Sequence, residues 1–452
     1  MLSNDSFETK CIISEELAKI GWGTYQKWLF FNCFCGMTIA TIWIETTAIL
    51  ISLDCYSDFE KTMLGFSINF GTMIGTFLLS SLIGHYGREK IFKLCIIIEA
   101  FGGVLCLFNG LCLYFGLFVI GFGAGGDFSI GYPIFIEGVQ KKYRNYTTLL
   151  NASMCFGSAF GALFMLILLK FEIDPSDTIF YQISFWTIVC ILLAYLRKHT
   201  IESPIYLYET YDEKVYIVME EIARKNSQDM YLADFPMIRS SSTASSYGAS
   251  ESIFSKGMIV TTASILFLYF FSSFSYYSML FYMPTLLENQ IEDGDESTEY
   301  KVIFGQQLIS VFGVILSACY IDSKIGRVGM EIISFFIAGV FTFFFLFVSS
   351  SFSVLIVSAV IIGCMMSGIS TLYTHTQELY PALLRGKIGA WSNFVLFSTG
   401  VITPITMQYI DEYSKTLGLI LIAFSFVLSS LVSIPLKETK GFKDDEEELL
   451  KD

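Results

Sequence analysis

The chain has 452 residues, 54% of them hydrophobic and only 15% charged, with a formal net charge of −14 and a mean hydropathy of +0.59. A soluble protein of this length would carry about 25% charged residues, so an all-aqueous fold is excluded. The acidity implies no partner and no nucleic acid, because the acids gather in "LENQIEDGDESTEY" and "KDDEEELLKD", which read as solvated segments.

Taken in chain order, the apolar residues form twelve long blocks, at about 28–53, 63–84, 91–109, 111–136, 148–170, 179–196, 259–287, 302–321, 328–349, 352–375, 388–410 and 417–436. About 20 apolar residues span the hydrocarbon as a helix. Helices or closed barrels alone satisfy their backbone in lipid, and these blocks are twice the length of barrel strands and do not alternate. The expected fold is therefore all-α, with twelve transmembrane helices. With both termini on one side, every Lys and Arg except Lys61, Lys170, Lys301 and Lys415 falls on that side, which predicts cytoplasmic termini. The sequon at Asn145 then lies inside and stays bare. The N-terminus lacks the pattern of a signal peptide. The eleven Cys are scattered, with only Cys55 clearly in an outer loop, and imply neither disulfides nor a metal or other cofactor.

The expected organisation is a cytoplasmic N-terminus (1–27), a six-helix bundle (28–196), a cytoplasmic linker (197–258), a second six-helix bundle (259–436) and an acidic tail (437–452). Within the linker, "DEKVYIVMEEIARKN" reads as an amphipathic surface helix and "SSSTASSYGASES" as a flexible stretch. The loop chemistry repeats across it. Gly87 of "YGREKI" matches Gly326 of "IGRVGM"; Glu137 of "EGVQKKYR" matches Glu378 of "ELYPALLR"; Glu202 of "ESP" matches Glu438 of "ETKG". Offsets of 239, 241 and 236 residues mark a duplicated six-span unit. Parallel six-span halves with a solute site between them describe one transporter architecture.

On these motifs the chain resembles the major facilitator superfamily over essentially its whole length. "ESPIYL", "ETKG", "SFSYYS", "YTHTQELYPALLRG" and "GVITPI" look closest to the synaptic-vesicle-2-related and organic ion transporter branch, near the sugar porters and proton-coupled phosphate porters. The resemblance implies a cytoplasmic gate of Arg88, Glu137, Arg144 and Glu202 in one half and Arg327, Glu378, Arg385 and Glu438 in the other. The sequence departs from that pattern where relatives carry an Asp before the loop Gly: Gly84 and Ser323 stand there, with Asp322 one step away. Leu117 replaces an Arg common near the glycine-rich motif.

Two acids lie inside apolar blocks: Glu45 in "IATIWIETTAILIS" and Asp127 in "GFGAGGDFSIGYPIFIE". Each costs roughly 2.5–3.5 kcal/mol on insertion scales, which makes a function the default reading. "TIWIETTAIL" resembles the acid-bearing first span of synaptic-vesicle-2-related proteins, and "GGDFSIG" the motif in which phosphate porters handle protons. Both acids are expected to couple protons, in stages, because their heights differ by roughly 13 Å. Glu99 reads as structural or snorkelling. The G-x-G-x-x-G pattern at 121–126 lies in an apolar block, where glycines serve close helix packing rather than a nucleotide.

No Lys or Arg is expected deep in the membrane, which favours cationic or uncharged solutes over anions. Phe274, Tyr276, Tyr277, Tyr282, Tyr373, Trp391, Asn393 and Phe397 are the candidate solute-binding residues; aromatics with hydroxyls suit flat or cationic organic molecules. The reading is a secondary transporter, a monomer in the lipid bilayer and not an enzyme, that moves a small organic solute coupled to protons. The alternatives are a proton-coupled phosphate or sugar symporter and a non-transporting receptor or vesicle scaffold. "DEEELL" in the tail resembles a sorting signal, so the plasma membrane and endosomal or vesicle membranes both fit.

Overall fold

The computed structural model describes residues 16–52, 56–108, 110–140, 143, 146–171, 175–210, 213–227, 252–255, 257–288, 296–348, 351–380 and 382–439. Arg144, Asn145, most of the serine-rich linker and the acidic tail from residue 440 lie outside them.

Among the described residues, twelve long helices carry the fold. They are α1 (Thr24–Ser52), α2 (Asp58–Tyr86), α3 (Arg88–Cys106), α4 (Leu111–Gly138), α5 (Tyr146–Lys170), α6 (Pro175–Arg197), α7 (Ile259–Glu288), α8 (Glu296–Tyr320), α9 (Gly326–Phe344), α10 (Ser351–Leu379), α11 (Ala382–Tyr413) and α12 (Lys415–Ser433). Eleven are long and apolar enough to cross a membrane. The exception is α3, whose 19 residues open on Arg88, Glu89, Lys90 and Lys93 and bury Glu99. Its outer face still suits lipid, with Ile97, Phe101 and Val104 exposed, as are Ile188, Ile191 and Leu192 on α6. Apolar side chains turned outward in such numbers require a hydrocarbon solvent.

The repeated loops turn the chain in the same way. Gly87 (φ +93°) and Gly326 (φ +72°) adopt a left-handed conformation that a side chain would strain, and in each case the following Arg stands at the start of the next helix. Between the halves, Ser203 caps a short helix, Pro204–Glu209. A second helix, Lys214–Lys225, buries Val215, Met219, Ile222 and Ala223. Asn226 follows it and ties the linker to α1: its Oδ1 accepts from the Tyr25 backbone N–H (2.9 Å) and its Nδ2 donates to Gln26 Oε1 (2.8 Å). Tyr25 lies in the first turn of α1, where backbone N–H groups have no partner within the helix.

The glycines around 121–126 bring two backbones together. A Cβ on Gly71 or Gly75 of α2 would strike the carbonyl oxygens of Phe118 and Phe122 on α4; one on Gly121 or Gly125 would strike those of Ile68 and Thr72. The two halves meet where α5 packs on α8 and α2 packs on α11. Loops rich in Lys and Arg define one end of the molecule, the basic face.

Candidate functional site

Each half carries an ion-paired cluster at the basic face. In the first, Arg88 Nη2 meets Glu137 Oε1 at 2.8 Å, and the Ser203 hydroxyl donates to Glu137 Oε2 at 2.5 Å. Glu202 accepts the backbone N–H groups of Arg88 (2.9 Å) and Glu89 (3.2 Å) and so caps α3. Burial holds the Glu202 carboxyl above the usual glutamate range even though these N–H groups pull it down. In the second half, Arg327 grips Glu378 with Nε (2.8 Å) and Nη2 (2.9 Å), and Glu438 accepts the backbone N–H groups of Arg327 and Val328, both at 3.0 Å. Arg327 Nη1 also meets Asp322 at 2.8 Å, so the displaced acid joins the cluster after all. Arg385 lies on α11, in a stretch whose side chain is not described.

The expectation that no base reaches the membrane interior fails at Arg197. It closes α6, counts as a loop residue by hydropathy alone, and is wholly buried. Its Nη1 and Nη2 meet the two Asp127 oxygens at 2.8 and 2.6 Å, Nη1 also donates to the Phe92 carbonyl (2.8 Å), and its Cζ lies over the Phe92 ring, 3.8 Å from the centroid. Gly36 of α1 leaves the room: a Cβ there would meet Asp127 Oδ2 at 2.6 Å and the guanidinium. Asp127 is thus one partner of a bidentate pair that clamps α4 to α6. Glu99 is fully buried, so it does not snorkel, and neither of its carboxyl oxygens has a hydrogen-bond partner among the described residues. A charge on it would have no hydrogen bond to offset its burial. Glu45 is 3% exposed, its stem lies against Gly161 of α5, and it is within electrostatic reach of Tyr276 on α7.

Most of the aromatic candidates fall on the contact between the halves. Tyr373 of α10 stacks on Tyr132 of α4, with centroids 5.0 Å apart and planes at 19°. Each hydroxyl binds an Asn of its own half: Tyr132 to Asn151 (2.6 Å) and Tyr373 to Asn393 (3.0 Å). Thr148 and Thr374 share a hydrogen bond of 2.8 Å beside them. Further from the basic face, Phe397 packs on Phe128 (5.6 Å); nearer to it, Trp391 meets Phe77 edge-on (5.8 Å). Tyr276 and Tyr277 meet edge-on at 5.3 Å, with Tyr277 and Asn69 both against Gly400. Phe274 is half-buried on α7; Tyr282 lies on α7 beyond the described side chains.

Sequence reasoning missed the Tyr132–Asn151 pair. The signal was present: Tyr132 and Asn151 precede Tyr373 and Asn393 by 241 and 242 residues, the offset of the charged loops. It also missed the pair Glu331 and His375, both fully buried, with Nδ1 of His375 2.8 Å from Glu331 Oε1.

The sequence model of the Major Facilitator Superfamily matches residues 28–404. The niacin transporter NiaP of Acinetobacter baylyi is 22% identical over 83% of this chain and 85% of its own length. The synaptic vesicle 2-related protein of Xenopus laevis is 24% identical over 95% of this chain and 81% of its own. Among solved structures, the proton:xylose symporter XylE bound to 6-bromo-6-deoxy-D-glucose superposes with a TM-score of 0.73 at 16% identity. That match covers 95% of this chain and 99% of XylE.

Proposed function

The chain belongs to the major facilitator superfamily, and from that premise we propose that it is a secondary active transporter moving a small organic solute, cationic or uncharged, by alternating access coupled to protons. The basic face is the cytoplasmic one, and the protein works as a monomer in the plasma membrane or an endosomal or vesicle membrane.

One observation carries this reading: the matched Tyr–Asn pairs stacked face to face across the two halves. The stack is worth about 0.5–1.5 kcal/mol beyond its area, and the adjacent threonine bond about the same. Contacts of that size close a path yet open on a solute's binding energy, whereas a fixed fusion of the halves would be drier and stronger. The charged clusters then brace each half around the latch.

Of the two membrane acids we assign coupling to Glu45, which faces the α7 aromatics. Asp127 serves the clamp, because a proton there would strand the Arg197 charge in a dry site. The preference for cations or neutral solutes stands, since Asp127 already neutralises Arg197. Flat neutral rings fit the aromatic residues of α7 and of the contact between the halves.

The test is a thermal-shift screen at two pH values against small organic cations, neutral aromatic amides, nicotinate, phosphate and hexoses, followed by counterflow of each hit in liposomes. Counterflow of a cation or neutral amide that responds to a pH gradient supports the proposal. Binding without counterflow overturns transport, and counterflow limited to phosphate or hexoses overturns the solute class.

A further inference from the structure

We propose that Glu331 and His375 form a second proton-binding site, one that sets whether the basic-face end of the transporter stays closed; the proposal rests on the alternating-access reading. The argument is an inventory of hydrogens. His375 Nε2 lies 2.9 Å from the main-chain oxygen of Lys437, which only accepts, so a bond there requires hydrogen on Nε2. Nδ1 lies 2.8 Å from Glu331 Oε1, and that contact also requires one hydrogen, on the nitrogen or on the carboxyl. With both hydrogens present the pair is neutral and both bonds are made. With one removed, a neutral imidazole holds a single N–H against two acceptors. It then gives up either α9, which carries Glu331, or the segment after α12, which carries Lys437.

The surroundings make that loss consequential. Both side chains are fully buried, and Glu331 Oε2 has no partner among the described residues, so a net negative charge there has little to stabilise it. Among the described residues, four elements bring charged or titratable groups to the pair. Glu378 on α10 is within electrostatic reach of the ring and is bound by Arg327 of α9; Tyr269 of α7 senses Glu331; Lys437 and Glu438 follow α12. His375 also directly follows Tyr373 and Thr374, which touch Tyr132 and Thr148 of the other half. Three consecutive residues of α10 thus join the proton to the closure. Proton bound, α10 is fixed to α9 and to the α12 exit and the latch is shut; proton lost, α10 is released on one side and the latch opens toward the basic face.

Hydrogen–deuterium exchange of the full chain in lipid nanodiscs, corrected for intrinsic pH effects between pH 5 and 9, reads this without any solute. The expected result is a step with rising pH, at least about tenfold in exchange. It covers residues 371–380, 434–439 and 146–151 together, while 193–201 shows none. Glu331→Gln abolishes the step and stays protected at high pH, because a neutral amide donates to Nδ1 while Nε2–H keeps the Lys437 bond. His375→Gln also removes the step. Wild-type protein without a step, or a step surviving in Glu331→Gln protein that elutes as folded, overturns the proposal. Glu45→Gln keeps the step whether or not transport is shown, so the two readings fail separately.

Discussion

The two halves lock the same corner of the fold with different chemistry. In the first, Arg197 at the end of α6 reaches Asp127 on α4 and the carbonyl of Phe92 on α3. In the second, the exit of α12 offers a carbonyl to His375 on α10, which turns to Glu331 on α9. Phe92 and Glu331 are 239 residues apart, at the repeat offset. A guanidinium keeps its charge at any physiological pH, while an imidazole changes state near neutrality. On the proposal above, this corner is held permanently in one half and conditionally in the other. A transporter whose halves rock against each other has use for that asymmetry, since a rigid half provides the frame on which a responsive half moves.

The sharpest difference is expected in stability. Asp127→Asn leaves Arg197 buried and unpaired and lowers unfolding free energy by about 3–5 kcal/mol, read as an earlier unfolding midpoint in detergent. Combining Asp127→Leu with Arg197→Met recovers most of the loss; if it recovers none, the clamp is not a pairwise one. Next in size, Glu45→Gln reduces pH-driven accumulation at least about tenfold while counterflow of the same solute continues. If accumulation is unchanged, Glu45 is not the coupling acid. A smaller and matched effect is expected at the latch. Tyr132→Phe and Tyr373→Phe each remove one Tyr–Asn hydrogen bond and keep the stack, favouring the state open at the basic face by about 0.5–1.5 kcal/mol. Spin-label distances across that face would read it, and unequal shifts would show that the latch is not symmetric. The smallest effect belongs to Glu202. Its raised carboxyl binds a proton in the folded state at pH values where the unfolded chain has lost it, so stability falls as pH rises from the ordinary glutamate range through the raised value. Glu202→Gln should flatten that slope in a pH series of unfolding midpoints.

What the sequence made legible follows from what repeats or runs long. Blocks of apolar residues announce membrane helices because their cause is local. The charged loops were found because each motif supplied its own register check in the other half. Arg197 escaped because hydropathy assigns a residue to a depth by its neighbours in the chain, and a long side chain at a helix end reaches inward regardless. His375 and Glu331 escaped for another reason: 44 residues separate them, and a single His in "YTHTQEL" carries no pattern. Tyr373 and Asn393 were found as residues, but not their relation to each other. Both were taken for solute contacts, and the structure bonds them to each other. The aromatic content that pointed to a pocket serves the closure between the halves as well, and residue type alone does not separate those uses.

The glycine-lined seam between α2 and α4 sets a limit on how the transporter moves. Where main chain rests on main chain, no side chain lies between the helices whose rotamer could turn, so the seam has little to yield with. In the proposed cycle, a displacement of α2 against α11 is therefore expected to carry α4 with it, and with α4 Tyr132 and Asp127. The first half is then expected to move as one body, and a single methyl added at Gly75 or Gly125 would force α2 and α4 apart.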